Sequence, residues 1–188
     1  MTTTEITHLT LKELEAGLAY IRQSPKDEGV LEMIVRRPDV DQREVLQEGE
    51  LSIHEGLVGD NWLRRGSGRT HDGSSHPDMQ LNIMNSRAID LVAQDRSRWH
   101  LAGDQLFIDL DLSDNNLPAG TRLKIGSAII EVTDQEHMGC KKFLQRYGLP
   151  AMQFVNSPVG RQLHLRGINA KVITEGLIKS GDKVIVVR

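Results

Sequence analysis

The sequence predicts a mainly β, barrel-like fold of short strands with a few peripheral helices. From residue 29 onward, short apolar runs alternate with turn residues at close spacing, as in closed or nearly closed barrels. Segments with a helical apolar stripe are few. With 188 residues, 38% of them hydrophobic and 26% charged, the chain can bury one substantial core.

The first element is helical. Thr10 and Glu13 have the spacing of a capping box, Leu11, Leu14, Leu18 and Ile21 fall near one face, and Pro25 ends the run. Residues 1–28 read as an N-terminal helical appendage and 29–188 as the barrel domain. "GVLEMIVRRP" (29–38) reads as a strand. Residues 56–78 are rich in Gly, Ser and charge, and read as a long loop of the lid or binding type. Its His71, Asp72, His76 and Asp78 match no zinc-ligand spacing. In "MQLNIM" (79–84), Met79, Leu81 and Ile83 alternate with Gln80, Asn82 and Met84. "SRAIDLVAQDRSRW" (86–99) reads as a helix capped by Asn85 or Ser86, and "LFIDLDL" (106–112) as a strand. "TRLKIGSAIIEVT" (121–133) is the clearest local signal, two strand-like runs around Gly126-Ser127. "AKVIT" (170–174) and "KVIVVR" (183–188) complete the strands, joined through "EGLIKSGD".

Charge is unevenly placed. The formal net charge is −3, yet residues 137–174 contain no Asp or Glu while carrying Lys141, Lys142, Arg146, Arg161, Arg166 and Lys171. A positive segment on an otherwise acidic chain is a candidate site for a compact anion, although basic stretches are also common on solvated faces. Three Phe, two Tyr and two Trp are too few for a base-stacking surface, which disfavours nucleic acid. No apolar run approaches membrane-spanning length, the N-terminus lacks the pattern of a secretory signal, and one cysteine excludes an internal disulfide. A cytoplasmic protein is expected.

That cysteine, Cys140, lies in "EHMGCKKFLQRYG" (136–148). "KKFLQRYG" has the apolar side of a two-turn helix, and Gly148 followed by Pro150 is a stop signal. Cys140 is therefore expected at a helix N-terminus, where free backbone N–H groups favour thiolate, the nucleophilic and metal-binding form. Lys141, Lys142 and Arg146 add positive charge, and Gly139 leaves room beside the sulfur for a bulky partner. Inert packing is the competing reading, since free cysteine is often buried. His137 titrates near neutrality when unperturbed and is the candidate proton donor or acceptor, or else a turn residue without a role.

In their order and spacing these segments resemble the MOSC domain family, named for the C-terminal domain of molybdenum cofactor sulfurases. The matching pieces are Gly59-Asp60, "MQLNIMNSRAIDLVA", "LPAGTRLKIG", the cysteine after "EVT", and the closing "RGINAKV…GD", spanning roughly residues 29–188. The resemblance implies a stand-alone member with the family's barrel-like fold and an association with the molybdenum cofactor (molybdopterin) and sulfur transfer. It makes Cys140 the counterpart of the family's cysteine, as metal ligand or persulfide carrier. The cofactor's anionic groups would then fall to Lys141, Lys142, Arg146, Arg161 and Arg166. The chain is too short for the pyridoxal phosphate domain of the sulfurases, so that cofactor is not expected. It also lacks the larger N-terminal region with which related molybdenum reductases hold the pterin.

Three functions follow as expectations. The first is a molybdenum-cofactor-binding or sulfur-carrier protein, served by a sulfur-donor protein. The second is a molybdenum-dependent reductase of N-hydroxylated or S-oxidised compounds. It would need a separate electron-donor protein, since no ferredoxin cysteines or dinucleotide glycine motif are present. The third is a non-catalytic binding module using the basic face.

Overall fold

Where apolar residues alternate the chain forms strands, eleven of them among residues 7–188, the part described by the computed structural model. These are β1 (Glu28–Arg36), β2 (Glu44–Leu46), β3 (Glu48–Ser52), β4 (Gly56–Leu57), β5 (Leu81–Asn85), β6 (Leu106–Asp109), β7 (Arg122–Ile125), β8 (Ala128–Val132), β9 (Ile168–Thr174), β10 (Gly176–Lys179) and β11 (Lys183–Val187). The helices are α1 (Leu11–Ala16), α2 (Leu18–Ile21), α3 (Trp62–Arg65), α4 (Ser86–Ala93), α5 (Lys141–Asn156) and α6 (Pro158–Gln162). Two 3₁₀ turns cover Pro77–Met79 and Arg96–Ala102.

Seven strands close a barrel in the order β11-β7-β8-β9-β5-β6-β1, with β1 returning to β11. Closure depends on the length of β1. Its start, Glu28–Val30, pairs with β11, its end, Ile34–Arg36, pairs with the added strand β2, and β6 lies along its other edge. A register shift between Leu31 and Met33 bends this strand, as a bulge does. Only β5 and β6 run parallel in the barrel, and α4 with the second 3₁₀ turn forms the crossover that parallel pairing requires. β10, β3 and β4 form a small separate sheet.

The period-2 pattern divides the core in two. Leu81, Ile83, Leu106 and Ile108 point into the barrel, while Met84 and Phe107 face outward onto Leu14, Ile89, Phe143 and Tyr147 of the helices. Both faces of β5 are thus buried. Met79, expected to continue this strand, falls in the first 3₁₀ turn.

The expected capping box is formed, with Glu13 N–H donating to Thr10 Oγ1 and Thr10 N–H to Glu13 Oε2. The helix breaks at Gly17, where Leu91 of α4 fills the space a side chain would need. The helix expected over 86–99 is capped by Asn85 but stops at Ala93. Gln94 turns left-handed (φ 62°), and Asp95 caps the following 3₁₀ turn. Gly148 ends its helix as expected (φ 85°), but a second helical segment starts at once with Pro150 in its first turn, so α5 is kinked.

Candidate functional site

The site is built around the turn that leads from the second 3₁₀ helix into β6. Gly103 turns left-handed (φ 89°), and Asp104 then enters the protein fully buried. Two side chains reach its carboxylate from distant parts of the chain. Arg166, just before β9, donates Nη1–H to Oδ2 at 2.6 Å, and His137, between β8 and α5, lies with Nε2 2.9 Å from Oδ1. Arg166 also donates Nη2–H to Ala102 O at 3.0 Å, and its guanidinium lies 5.0 Å from the centre of the Phe143 ring in the first turn of α5. Its buried Nε–H has no partner among the described residues.

Burial and charge act in opposite directions on the carboxylate of this triad. Burial pulls the Asp104 carboxyl upward, but Arg166 and His137 outweigh it and hold it at about 2. His137 moves down, through burial first and the Arg166 cation second, against the pull of Asp104. The triad is therefore an anionic carboxylate between a permanent cation and a neutral imidazole.

Cys140 occupies the N-cap position of α5, with extended backbone (φ −120°, ψ 176°). Its side chain is exposed and makes no capping hydrogen bond. The strand β8 delivers the chain to this point, and Asn156 at the far end of α5 fixes it by accepting Gly139 N–H at 3.0 Å. The space expected beside Gly139 for a partner is taken by the protein itself. A Cβ there would lie 2.7 Å from Met152 Sδ and 3.1 Å from Asn156 Nδ2, so this glycine serves packing against α5.

Residues of α5 carry charge to a second cluster. Lys142 and Arg146 both reach Asp41, at 2.9 and 3.3 Å, and Arg146 Nη1–H donates to Leu101 O. Arg43 joins them. A side chain at Gly103 would stand 3.4 Å from Arg43 Nη2 and 3.8 Å from Arg146 Nη1, so the two guanidinia converge on that glycine. Arg43 is pushed down by burial and then by the like charges of Arg146 and Arg37, and its buried Nε–H is unpartnered among the described residues. His100 is pushed down too, mainly by burial, with Arg43 and Arg146 contributing.

Beneath this cluster, Arg37 and Asp60 form a buried bidentate pair, Nε–Oδ2 at 2.9 Å and Nη2–Oδ1 at 2.8 Å. Arg37 Nη1 donates to Gly103 O and Asn82 Oδ1, and Asn82 Nδ2 donates to Asn169 Oδ1. These groups tie β1, β5, β9 and the Asp60 loop to the turn that carries Asp104.

A cleft of about 530 Å³ opens on the other side of the triad. His137, Met138, Arg166 and Arg161 line it, and Arg161 Nε–H is anchored to Asn156 O at 3.1 Å. The structure thus joins His137 and Arg166 through Asp104, joins Lys142 and Arg146 through Asp41, and sets Arg161 on the cleft. Lys141 is exposed, and Lys171 is elsewhere, paired with Asp78 at 2.9 Å. In the 56–78 segment, Asp72 accepts Ser74 N–H and Oγ–H, and His76 Nδ1 accepts Asp78 N–H. No cluster of three or more His, Cys, Asp or Glu side chains suited to a metal ion occurs among the described residues.

Sequence reasoning missed Asp104, Arg43, Arg37 and His100 as parts of this region. Asp104-Gln105 directly before "LFIDL" was the available signal, since a carboxylate entering a buried strand needs a cationic partner.

The fold and the site define a closed β-barrel with an exposed cysteine at a helix start. The chain belongs to the MOSC domain family, whose model matches residues 68–185. MOSC domains are associated with molybdenum-cofactor binding and sulfur-related function. Among solved structures, the YuaD protein from Bacillus subtilis is similar at 13% identity and a TM-score of 0.62, over 85% of this chain and 95% of that one. YiiM from Escherichia coli is similar at 18% identity and a TM-score of 0.55, over 85% and 70%. At these identities the likeness concerns the fold. No curated protein matches the sequence. No helix among the described residues is long and apolar enough to cross a membrane.

Proposed function

We propose that this MOSC protein carries a molybdenum cofactor, or sulfur destined for one, on Cys140. The observation that carries this reading is the pairing of an exposed, uncommitted sulfur at the start of α5 with two guanidinia, Arg43 and Arg146, converging beside the same helix. The donor set fits the group. A thiolate sulfur suits a molybdenum centre, and guanidinium forks suit a phosphate or another oxyanion. The unpartnered Nε–H of Arg43 is a donor that an anionic pterin substituent would satisfy.

In this reading Cys140 is the ligand or the persulfide-bearing atom, and Arg43, Arg146 and Lys142 hold negative charge. Asp41 links Lys142 to Arg146 and limits their mutual repulsion. When bound, the cofactor supplies two-electron redox or sulfur-transfer chemistry. The protein positions the sulfur through the Asn156 clamp on Gly139 and holds Arg166 against the first turn of α5. The exposure of Cys140 leaves it open to a sulfur-donor or electron-donor protein, and a lone thiol suits a reducing cytoplasm.

Alkylation tests this. In protein isolated from cells that make the cofactor, Cys140 is expected to resist iodoacetamide until denaturation releases the cofactor. Equal labelling before and after release, with no sulfur freed from Cys140 by reductant, would contradict the reading.

A further inference from the structure

The cleft beyond the triad has features that cofactor attachment at Cys140 does not use. Cys140 is not in its wall. Leu117, Val132, Val155 and Ile168 give it apolar surface, His137, Arg161 and Arg166 give it basic groups, and Asp134, Glu136 and the His164-paired Asp114 give it carboxylates. His137 is the group with a free chemical function. Its Nε2 is committed to the Asp104 carboxylate at 2.9 Å, so Nε2 carries the proton and Nδ1 carries the lone pair. Nδ1 has no hydrogen-bond partner among the described residues. The tautomer is fixed by a carboxylate that Arg166 locks in place at 2.6 Å. A neutral imidazole oriented by a buried carboxylate, with its other nitrogen free beside a cleft, is the geometry of a proton acceptor.

We propose that this cleft is a binding site for a small molecule with an apolar body and an acidic O–H or N–H, which hydrogen-bonds to His137 Nδ1. Asp104 acts as the positioning residue. Where the ligand is acidic enough, the proton passes to Nδ1. The X–H bond breaks, the Nδ1–H bond forms, and the electron pair stays on X. The imidazolium so formed faces the Asp104 carboxylate through Nε2–H, while Arg166, and Arg37 at longer range, oppose its charge. Arg161 is the cleft cation outside the triad that can face the ligand anion, set against the carboxylates of Asp114, Asp134 and Glu136 in the same wall. The proposal does not depend on a cofactor being bound.

The test uses the whole chain, produced without cofactor, so its failure and that of the Cys140 reading are separable. The probe is 4-nitrophenol, which has an apolar ring, an acidic hydroxyl and a visible anion band. Imidazole ¹⁵N spectra of the labelled protein at about pH 7, near the ordinary histidine range, are expected to show His137 protonated at Nε2 only. His137→Gln assigns the signals. Millimolar 4-nitrophenol should shift the Nδ1 resonance saturably, and Asp104→Asn should weaken that effect at least tenfold. Should Asp104→Asn not fold, loss of the bound-nitrophenol difference spectrum in His137→Gln serves in its place. A proton on Nδ1 in the resting protein would overturn the proposal. So would an Nδ1 resonance indifferent to the probe, or probe binding unchanged by His137→Gln.

Discussion

At the scale of single residues, the interior charges are the most constrained features. The Asp60 side chain is fully buried and accepts Arg37 N–H, two guanidinium N–H groups and Trp62 N–H. Removing one member of a buried pair leaves the other charge without compensation, at a cost of about 3–5 kcal/mol. Asp60→Ala is therefore expected to lose roughly that much stability in urea denaturation, whereas a loss below about 1 kcal/mol would mean the pair is solvated. In the sequence Gly59-Asp60 was visible only as a motif of the resemblance. Its partner lies 23 positions earlier, and no local rule joins residues so far apart. Arg166 could be singled out because it precedes Gly167 and a strand. Asp104, which gives Arg166 its purpose, was signalled only by its place before "LFIDL", and its partners could not be read there, because they lie 33 and 62 positions away.

At the scale of elements, the legible parts were those fixed by local stereochemistry. The hairpin around Gly126 (φ 54°), the Thr10 capping box and the alternation of Leu81 and Ile83 each depend on residues within a few positions. The small sheet of β10, β3 and β4 was not legible. Its strands are two to five residues long, and β10 joins β3 across more than a hundred positions. The second half of α5 was hidden by a sound stop signal at Gly148, which ends one helix without preventing another. Gly167 marks an element that substitution would disturb close to the triad. At φ 119° a Cβ would collide with Ile83 O of β5 and approach His137 Cδ2 to 3.0 Å. Backbone strain and overpacking each cost about 1–3 kcal/mol. Gly167→Ala is thus expected to lower stability by at least about 2 kcal/mol in denaturant titration and to disturb the His137 imidazole resonances. A neutral substitution would mean that this turn relaxes freely.

At the scale of the whole molecule, acid should loosen the fold through the triad that joins the Asp104 turn, the segment before α5 and the start of β9. Asp104 is held at about 2 when folded, against about 3.9 in an unfolded chain. A depressed carboxylate stabilises the fold above its unfolded pKa and loses that contribution as pH falls toward 2, on the order of 2–3 kcal/mol in total. His137 is also depressed, so the unfolded chain takes up its proton first as pH falls through about 6.5, and stability declines in the same direction. Denaturation midpoints are expected to drop from about pH 7 to about pH 4, with His137→Gln flattening the upper part of that slope. An unchanged slope in that variant would show that folding leaves the His137 pKa where it is in the unfolded chain.

Closure of the barrel, legible as a class from turn-punctuated strands, brings the Cys140 helix beside the Asp104 turn and the converging arginines, and the central claim rests on what that arrangement holds. Molybdenum and pterin content, measured on protein from cells verified to make and deliver the cofactor, tests it most directly. Near-stoichiometric metal and pterin in the wild type, lost in Cys140→Ala and reduced in Arg43→Ala, is the predicted result. A wild-type protein free of both, with Cys140 carrying no labile sulfur, would contradict it.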